Sequence, residues 1–172
     1  MISEINAELR ANIPFPPETK FNLAFDFKYL LEHGFVIPVI IQTPAFLCAT
    51  PISKSLRTIT VMALLDTGAS RTCISEEIAN DLELEAIGFT QMSTAAGINT
   101  FTDYIVDVLF PNAGLKGSNN LKVSSCKLPY NRNLPKDHIM AKSNFGVLIG
   151  RDMMTRWNIV WNGPSSSVYI AE

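Results

Sequence analysis

The sequence predicts a mostly β fold with one or two short helices, and three observations predict it. Apolar runs rich in β-branched residues recur at Phe35–Gln42, Arg57–Leu65, Tyr104–Phe110 and Phe145–Ile149, each stopped by Gly, Pro, Asn or Asp. Helical patterning is confined to two brief stretches, Ser75–Leu84 and Arg151–Trp157. Finally, 172 residues that are 47% hydrophobic supply enough apolar surface for one globular core and too little chain for several.

Taken in order, residues 1–20 read as an arm. A short polar helix is expected over Ser3–Arg10, and Pro14, Pro16 and Pro17 break it. Phe21, Leu23, Phe25, Phe27 and Tyr29 then alternate with smaller or polar residues, a period of two that predicts a half-buried strand. The competing reading is an amphipathic helix running to His33 and stopped by Gly34. Residues 1–34 therefore form an N-terminal arm with an extra strand, and residues 35–172 the main domain.

Within that domain Phe35–Gln42 is a strand, Thr43–Leu56 a loop or long hairpin with two prolines, and Arg57–Leu65 the returning strand. Ser75 is a good helix N-cap, followed by Glu76 and Glu77 in the favourable first turn. Phe89–Phe110 is strand-like on both sides of Ala95-Ala96-Gly97-Ile98-Asn99, whose small residues, Gly and Asn mark a hairpin tip. Pro111–Gly117 is a turn and Asn119–Leu128 holds one more strand. Pro129–Asn144 reads as a long exposed loop, of a length that usually has a function. A buried strand, Phe145–Ile149, is closed by Gly150. The last elements are a hairpin, Asn158–Trp161 with Ser167–Ile170, around Asn162-Gly163-Pro164.

Several function classes fall away. Fourteen Lys and Arg against sixteen Asp and Glu give a net charge of −2, with no basic stripe, so nucleic acid is not an expected partner. Cys48, Cys73 and Cys126 are odd in number and lack paired short spacings, so they predict reduced thiols rather than a metal site. No metal and no cofactor is implied. The start of the chain lacks the basic and continuous apolar pattern of a secretion signal, and Phe35–Ala45 is too short and proline-broken to span a bilayer. The expectation is a cytoplasmic protein without a membrane partner. His33 and His138 read as a turn-adjacent and a loop histidine, not catalysts.

One stretch carries chemistry. Val61-Met62-Ala63-Leu64-Leu65 is an apolar strand that ends in Asp66-Thr67-Gly68-Ala69-Ser70. A carboxylate at the inner end of a hydrophobic strand is costly unless its place there serves a purpose. Gly68 permits a tight turn that leaves Asp66 approachable. Farther on comes the glycine-tipped hairpin, then Leu148-Ile149-Gly150-Arg151-Asp152 and a short helix. In this order the motifs resemble those of the retropepsin-like aspartic proteases, over roughly residues 35 to 172.

The resemblance implies a single-lobe acid-protease β-barrel working as a C2 homodimer. It implies that Asp66 is the catalytic aspartate, that the Thr67 hydroxyl braces the opposite active-site loop, and that the Gly68 carbonyl holds the substrate backbone. Ala96, Gly97, Ile98 and Asn99 match the flap that closes over substrate, with Gly97 as its opening point. Leu148 and Ile149 match the apolar pair near the side-chain pockets, and Gly150 and Arg151 match the residues supporting the active-site loop. Ser70 stands where retroviral enzymes often carry an acid that pairs with that arginine, so Arg151 needs another partner. The segment before Gly150 is also longer than in the compact viral enzymes.

The chain has a single Asp-Thr-Gly, and Asp152 lies in a different context. Aspartic protease chemistry needs two carboxylates sharing a proton, so two chains must meet with Asp66 from each on the axis. The substrate is then an extended polypeptide, adding a strand beside the site. Pockets lined by Leu64, Cys73, Ile98 and Leu148 favour apolar side chains, Ala69 lies beside the carboxylates, and Arg71 can accept an acidic or polar group. Alanine at position 69 offers no hydroxyl to stabilise the ionised pair, so activity is expected at mildly acidic pH. The alternative is a catalytically silent dimerisation or peptide-binding module on the same fold.

Overall fold

Period-two burial organises the chain. In the computed structural model, residues 23–44, 56–94, 97–111, 114–134, 144–164 and 167–172 are described. The elements are β1 (Leu23–Asp26), α1 (Phe27–His33), β2 (Val36–Gln42), β3 (Thr58–Leu65), β4 (Cys73–Ser75), α2 (Glu76–Asp81) and β5 (Gly88–Thr94). They continue with β6 (Gly97–Leu109), β7 (Ser118–Cys126), β8 (Phe145–Ile149), α3 (Arg151–Met154), β9 (Asn158–Asn162) and β10 (Ser167–Ala171). The predicted Ser3–Arg10 helix, most of the Thr43–Leu56 loop, Cys48, Ala96 and residues 135–143 of the predicted exposed loop lie outside the described residues.

Strands β2, β3, β8, β4, β7 and β6 pair in that order, and β2 pairs back onto β6 through Ile40↔Leu109 to Gln42↔Asp107. The result is a six-stranded barrel, mostly β with few short helices. Its inward residues are Ile37, Val39 and Ile41 on β2, Val61, Ala63 and Leu65 on β3, and Ile74, Val106, Val108, Val123, Val147 and Ile149 around the ring. All are nearly or fully buried, and each large one stabilises the fold by roughly 1.5–3 kcal/mol. Pro38 sits on β2 opposite Met62 of β3, outside the β2–β6 pairing, so its missing N–H costs no second ladder bond.

The outer half of β6 leaves the barrel and pairs with β5 from Gly88↔Asp103 to Thr94↔Gly97, forming a projecting hairpin. A second sheet, β1–β10–β9, is built separately from the two ends of the described chain: Leu23↔Ile170 through Asp26↔Ser167, then Ser167↔Asn162 through Ala171↔Asn158. β1 thus ties the segment preceding residue 35 onto the last strand of the main domain. Among the described residues no helix is long and apolar enough to cross a membrane.

The predicted strand over Phe21–Tyr29 is corrected in its second half. The chain is extended only to Asp26 and helical from Phe27 to His33, so three short helices are present among the described residues. Phe25, Tyr29 and His33 recur every four residues as well as alternating, and tertiary contacts choose the helix. Tyr29 stacks between Phe25 (5.8 Å) and His33 (4.9 Å), and its hydroxyl donates to the Val36 carbonyl at 2.9 Å. Gly34, at φ +70°, ends the helix by donating its N–H to Leu30 O at 2.8 Å. By contrast α2 starts where its cap predicts, with Ser75 Oγ accepting from the Ile78 N–H at 3.2 Å.

Candidate active site

Asp66 follows β3 directly. Its backbone N–H donates to Ile149 O at 3.0 Å, which sets it at the end of the parallel β3–β8 pair. The next residues turn back: Ala69 N–H reaches Asp66 O at 3.1 Å, and the Gly68 N–H donates to Asp66 Oδ1 at 2.8 Å. A Cβ at Gly68 would lie 3.0 Å from that same oxygen, so a larger residue here would press on the carboxylate. Asp66 is half-buried, while Thr67, Gly68 and Ser70 are exposed. The carboxylate is therefore anchored on one side and open on the other.

The underside of this turn is tied to the α3 start. Arg151 donates its guanidinium to the carbonyls of Thr67 (2.7 Å) and Gly68 (3.1 Å), and its N–H to Ala69 O (2.9 Å). With serine at position 70, the arginine's partners are backbone carbonyls of the Asp66 turn itself. Asp152 N–H adds a bond to Ser70 O at 3.3 Å. Gly150 packs face-on against Arg71, and any Cβ there would overlap the Arg71 backbone. That close approach, rather than an unusual dihedral angle, is what demands glycine.

A second layer was not anticipated from sequence. Thr72 is fully buried and donates both its N–H (2.9 Å) and its hydroxyl (2.8 Å) to the Asp152 carboxylate. The same hydroxyl oxygen accepts from Gly150 N–H at 3.1 Å, and Asp152 also accepts from its neighbour Met153 N–H at 2.9 Å. The local signal for Asp152 was its place in the first turn of a helix, where a carboxylate is favoured. Its partner lies 80 residues away, a distance no local pattern spans.

The residues expected to line pockets fall into two groups. Leu64 stands opposite Leu148 in the β3–β8 pair, and Leu148 stands opposite Cys73 in the β8–β4 pair, so the three share one face in a row. That face is opposite to the one carrying Leu65, Ile149 and Ile74 into the core, so Ile149, expected beside Leu148 at the pockets, is instead a core residue because neighbours along a strand point to opposite faces. Arg71 is exposed beside it and Ala69 half-buried. Gly97 and Ile98 lie instead on the projecting hairpin, Gly97 at φ +108° and Ile98 76% exposed.

The base of the hairpin carries a buried acid. Asp103 is fully buried and accepts from Thr90 (2.5 Å) on β5, Ser124 (2.6 Å) on β7 and the Lys122 ammonium (2.8 Å). Burial pushes this carboxyl up, but the hydrogen bonds from Lys122, Ser124 and Thr90 outweigh it and hold the group below its ordinary value. Among the described residues no group of three or more His, Cys, Asp or Glu gathers to hold a metal ion.

Comparison with known proteins adds two findings. Residues 56–109, spanning β3, the Asp66 turn, α2 and the β5–β6 hairpin, match the family model described as aspartyl protease. A search of the solved structures finds similarity to a retropepsin-like aspartic protease from Rickettsia conorii, at 16% identity over 79% of this chain and 91% of that one, with a TM-score of 0.42. No curated protein matches. The matched stretch is the one that contains the Asp66-Thr67-Gly68 turn, and there the chain is similar to aspartyl proteases.

Proposed function

We propose that the protein is an aspartic endopeptidase whose water is activated by two Asp66 carboxylates, one from each chain of a homodimer. One observation carries the reading: Asp66 is anchored by the Gly68 N–H on a turn braced from beneath by Arg151, with its other side open. A single carboxylate cannot be base and acid at once, and the chain has one Asp-Thr-Gly. Across a two-fold axis the two acids hold one proton between them. The ionised one takes a proton from water, the water oxygen attacks the scissile carbonyl, and the protonated one donates to the carbonyl oxygen. Collapse of the tetrahedral adduct then expels the amine, which leaves with a proton from the dyad.

Substrate lies extended over this floor. Apolar side chains meet Leu64, Leu148 and Cys73, Arg71 accepts a polar one, and the β5–β6 hairpin closes from above with Ile98 as its apolar contact. Thr67, exposed in the single chain, turns to the partner's loop.

The second sheet supports the pairing. Among the described residues β9 is an edge strand, and its Ile159 and Trp161 stand opposite Ile170 and Val168 on the same face. The latter two are fully buried, but Ile159 is 37% and Trp161 62% exposed, overhanging the covered area. Trp161 stacks on Phe35 at 5.6 Å, and Phe35 O accepts from the Leu65 N–H, so this edge lies next to the residue preceding Asp66.

Asp66→Asn tests the chemistry: cleavage of an unfolded protein should fall at least ~10⁴-fold while solution mass stays dimeric. Undiminished cleavage would sink the assignment, and a wild-type dimer that never cleaves would leave the silent binding module. Trp161→Glu tests the pairing: sedimentation should show the dimer weakened by about 2 kcal/mol, roughly 30-fold in dissociation constant, with the monomer still folded.

A further inference from the structure

Cys73 and Cys126 are free thiols brought together by the β4–β7 pairing. The strands are parallel, with Cys73 opposite Ser124 and Ser75 opposite Cys126. Opposed residues share a face and every second residue returns to it, so the cysteines project from one side of the sheet, a diagonal step apart. It is the side that carries Leu148 and Leu64. The Cys73 thiol lies 3.7 Å from its acceptor, the Arg71 carbonyl, and the two thiols are close enough to influence each other's ionisation.

We propose that Cys73 and Cys126 form a redox-modifiable dithiol in the wall of the candidate site, closing to a disulfide by exchange with a small disulfide of the glutathione class. Cys126, half-buried, meets the reagent, and Cys73, 8% exposed, resolves the intermediate. The Cys126 thiolate attacks one glutathione sulfur, the reagent's S–S bond breaks, and one glutathione leaves as thiolate and takes up a proton. The Cys73 thiolate then attacks the Cys126 sulfur of the mixed disulfide and expels the second glutathione. Two protein thiols are oxidised to one disulfide, one glutathione disulfide is reduced to two thiols, and the protons released by the cysteines end on them.

Burial and the charges of Asp152, Asp103 and Glu76 oppose ionisation of the pair, so the exchange is slower than at an exposed thiol. Hydrogen bonding from Cys126 lowers Cys73 and the nearby Arg71 assists, against burial and the charges of Asp152 and Asp103. The same hydrogen bond, burial, Cys73 itself and Glu76 raise Cys126. One proton is therefore lost from the pair as a unit, and the proton between the sulfurs lets either carry the charge. A diagonal pair stands about 7–8 Å apart, beyond what a disulfide spans without backbone movement, so closure must pull β4 against β7 and is readily reversed by a dithiol reductant. β4 follows Arg71, against which Gly150 packs, so closure moves the floor of the site.

Only the effect on cleavage rests on the proposed peptidase activity; the bond itself does not. Cys48→Ser leaves these two of the three cysteines. The folded variant, treated with oxidised glutathione, quenched in acid, unfolded and alkylated, should lose the mass of two hydrogens and take up no alkylating reagent. Peptide mapping should join Cys73 to Cys126, in this variant and in the wild type alike, and dithiothreitol should restore two alkylable thiols. Cys126→Ser should form no bridge. Two free thiols after prolonged treatment, or a glutathione adduct that never resolves, would overturn the proposal. Peptidase rate should fall several-fold on oxidation and return on reduction. An unchanged rate in a fully bridged, cleaving enzyme would remove the pair from the site wall, and absence of cleavage in both forms would count against the peptidase reading while the mass decides the bridge.

Discussion

The floor of the site and the hairpin beside it are built on opposite plans. On the floor, every turn of chain between Asp66 and Thr72 is bonded to the segment Ile149–Asp152, through Arg151, Gly150 and the Thr72–Asp152 pair. The hairpin is gathered at its base, where Asp103 binds Thr90, Ser124 and Lys122. Toward the tip the residues from Gly97 to Thr100 are exposed. The lesson is that geometry needed before substrate arrives is fixed by bonds within the chain. Geometry needed only with substrate present is left to be completed by it.

Three substitutions break or sharpen that contrast. The largest effect is expected from Gly150→Ala, which drives a methyl group into the Arg71 backbone. Unfolding should be easier by about 3 kcal/mol, read by denaturant titration, and cleavage should be lost with it. Should the variant keep wild-type stability, the floor is less rigid than its bonding implies.

Asp103→Asn comes next, at about 2 kcal/mol, because Ser124, Thr90 and Lys122 lose a buried acceptor. Its pH dependence follows from the carboxyl being held below its ordinary value. A depressed group contributes stability that is fully present above its unfolded value, about 3.9, and is lost as pH falls through the folded value beneath it. The stability gap between wild type and variant should therefore be constant near neutrality and close in strong acid. A gap that widens on acidification would contradict the assignment.

The smallest effect belongs to the exposed arm. Ile98→Ser should leave the melting temperature unchanged, since the side chain has little packing to lose. It should reduce kcat/KM by about tenfold through the lost apolar contact with bound peptide. A loss of stability instead would mean that the hairpin already packs down without substrate.

The sequence was most readable where one strand or one turn carries its own signal. β3, β8, the Ser75 cap and the Asp66 turn all announce themselves within ten residues or so. The helix over Phe27–His33 did not, because Phe25 and Tyr29 satisfy both periods and the Tyr29–Val36 hydrogen bond makes the choice. Ala69, Arg71 and the Leu64–Leu148–Cys73 row could be named from the sequence, but their sharing of one face depends on β-sheet register. Thr72 with Asp152, Asp103 with Ser124, and Cys73 with Cys126 are joined between different elements of the fold, so each looked ordinary until the barrel closed. Arg151 was expected to support the loop, yet its carbonyl partners were hidden by the missing acid at position 70.

The arginine brace has one further consequence. Because Arg151 and the turn it holds belong to the same polypeptide, each half of the proposed catalytic pair is finished before its mate arrives. Joining then requires no rebuilding, only collision. On dilution below the dissociation constant, the reaction rate should fall with the square of total protein and recover as soon as the solution is concentrated again.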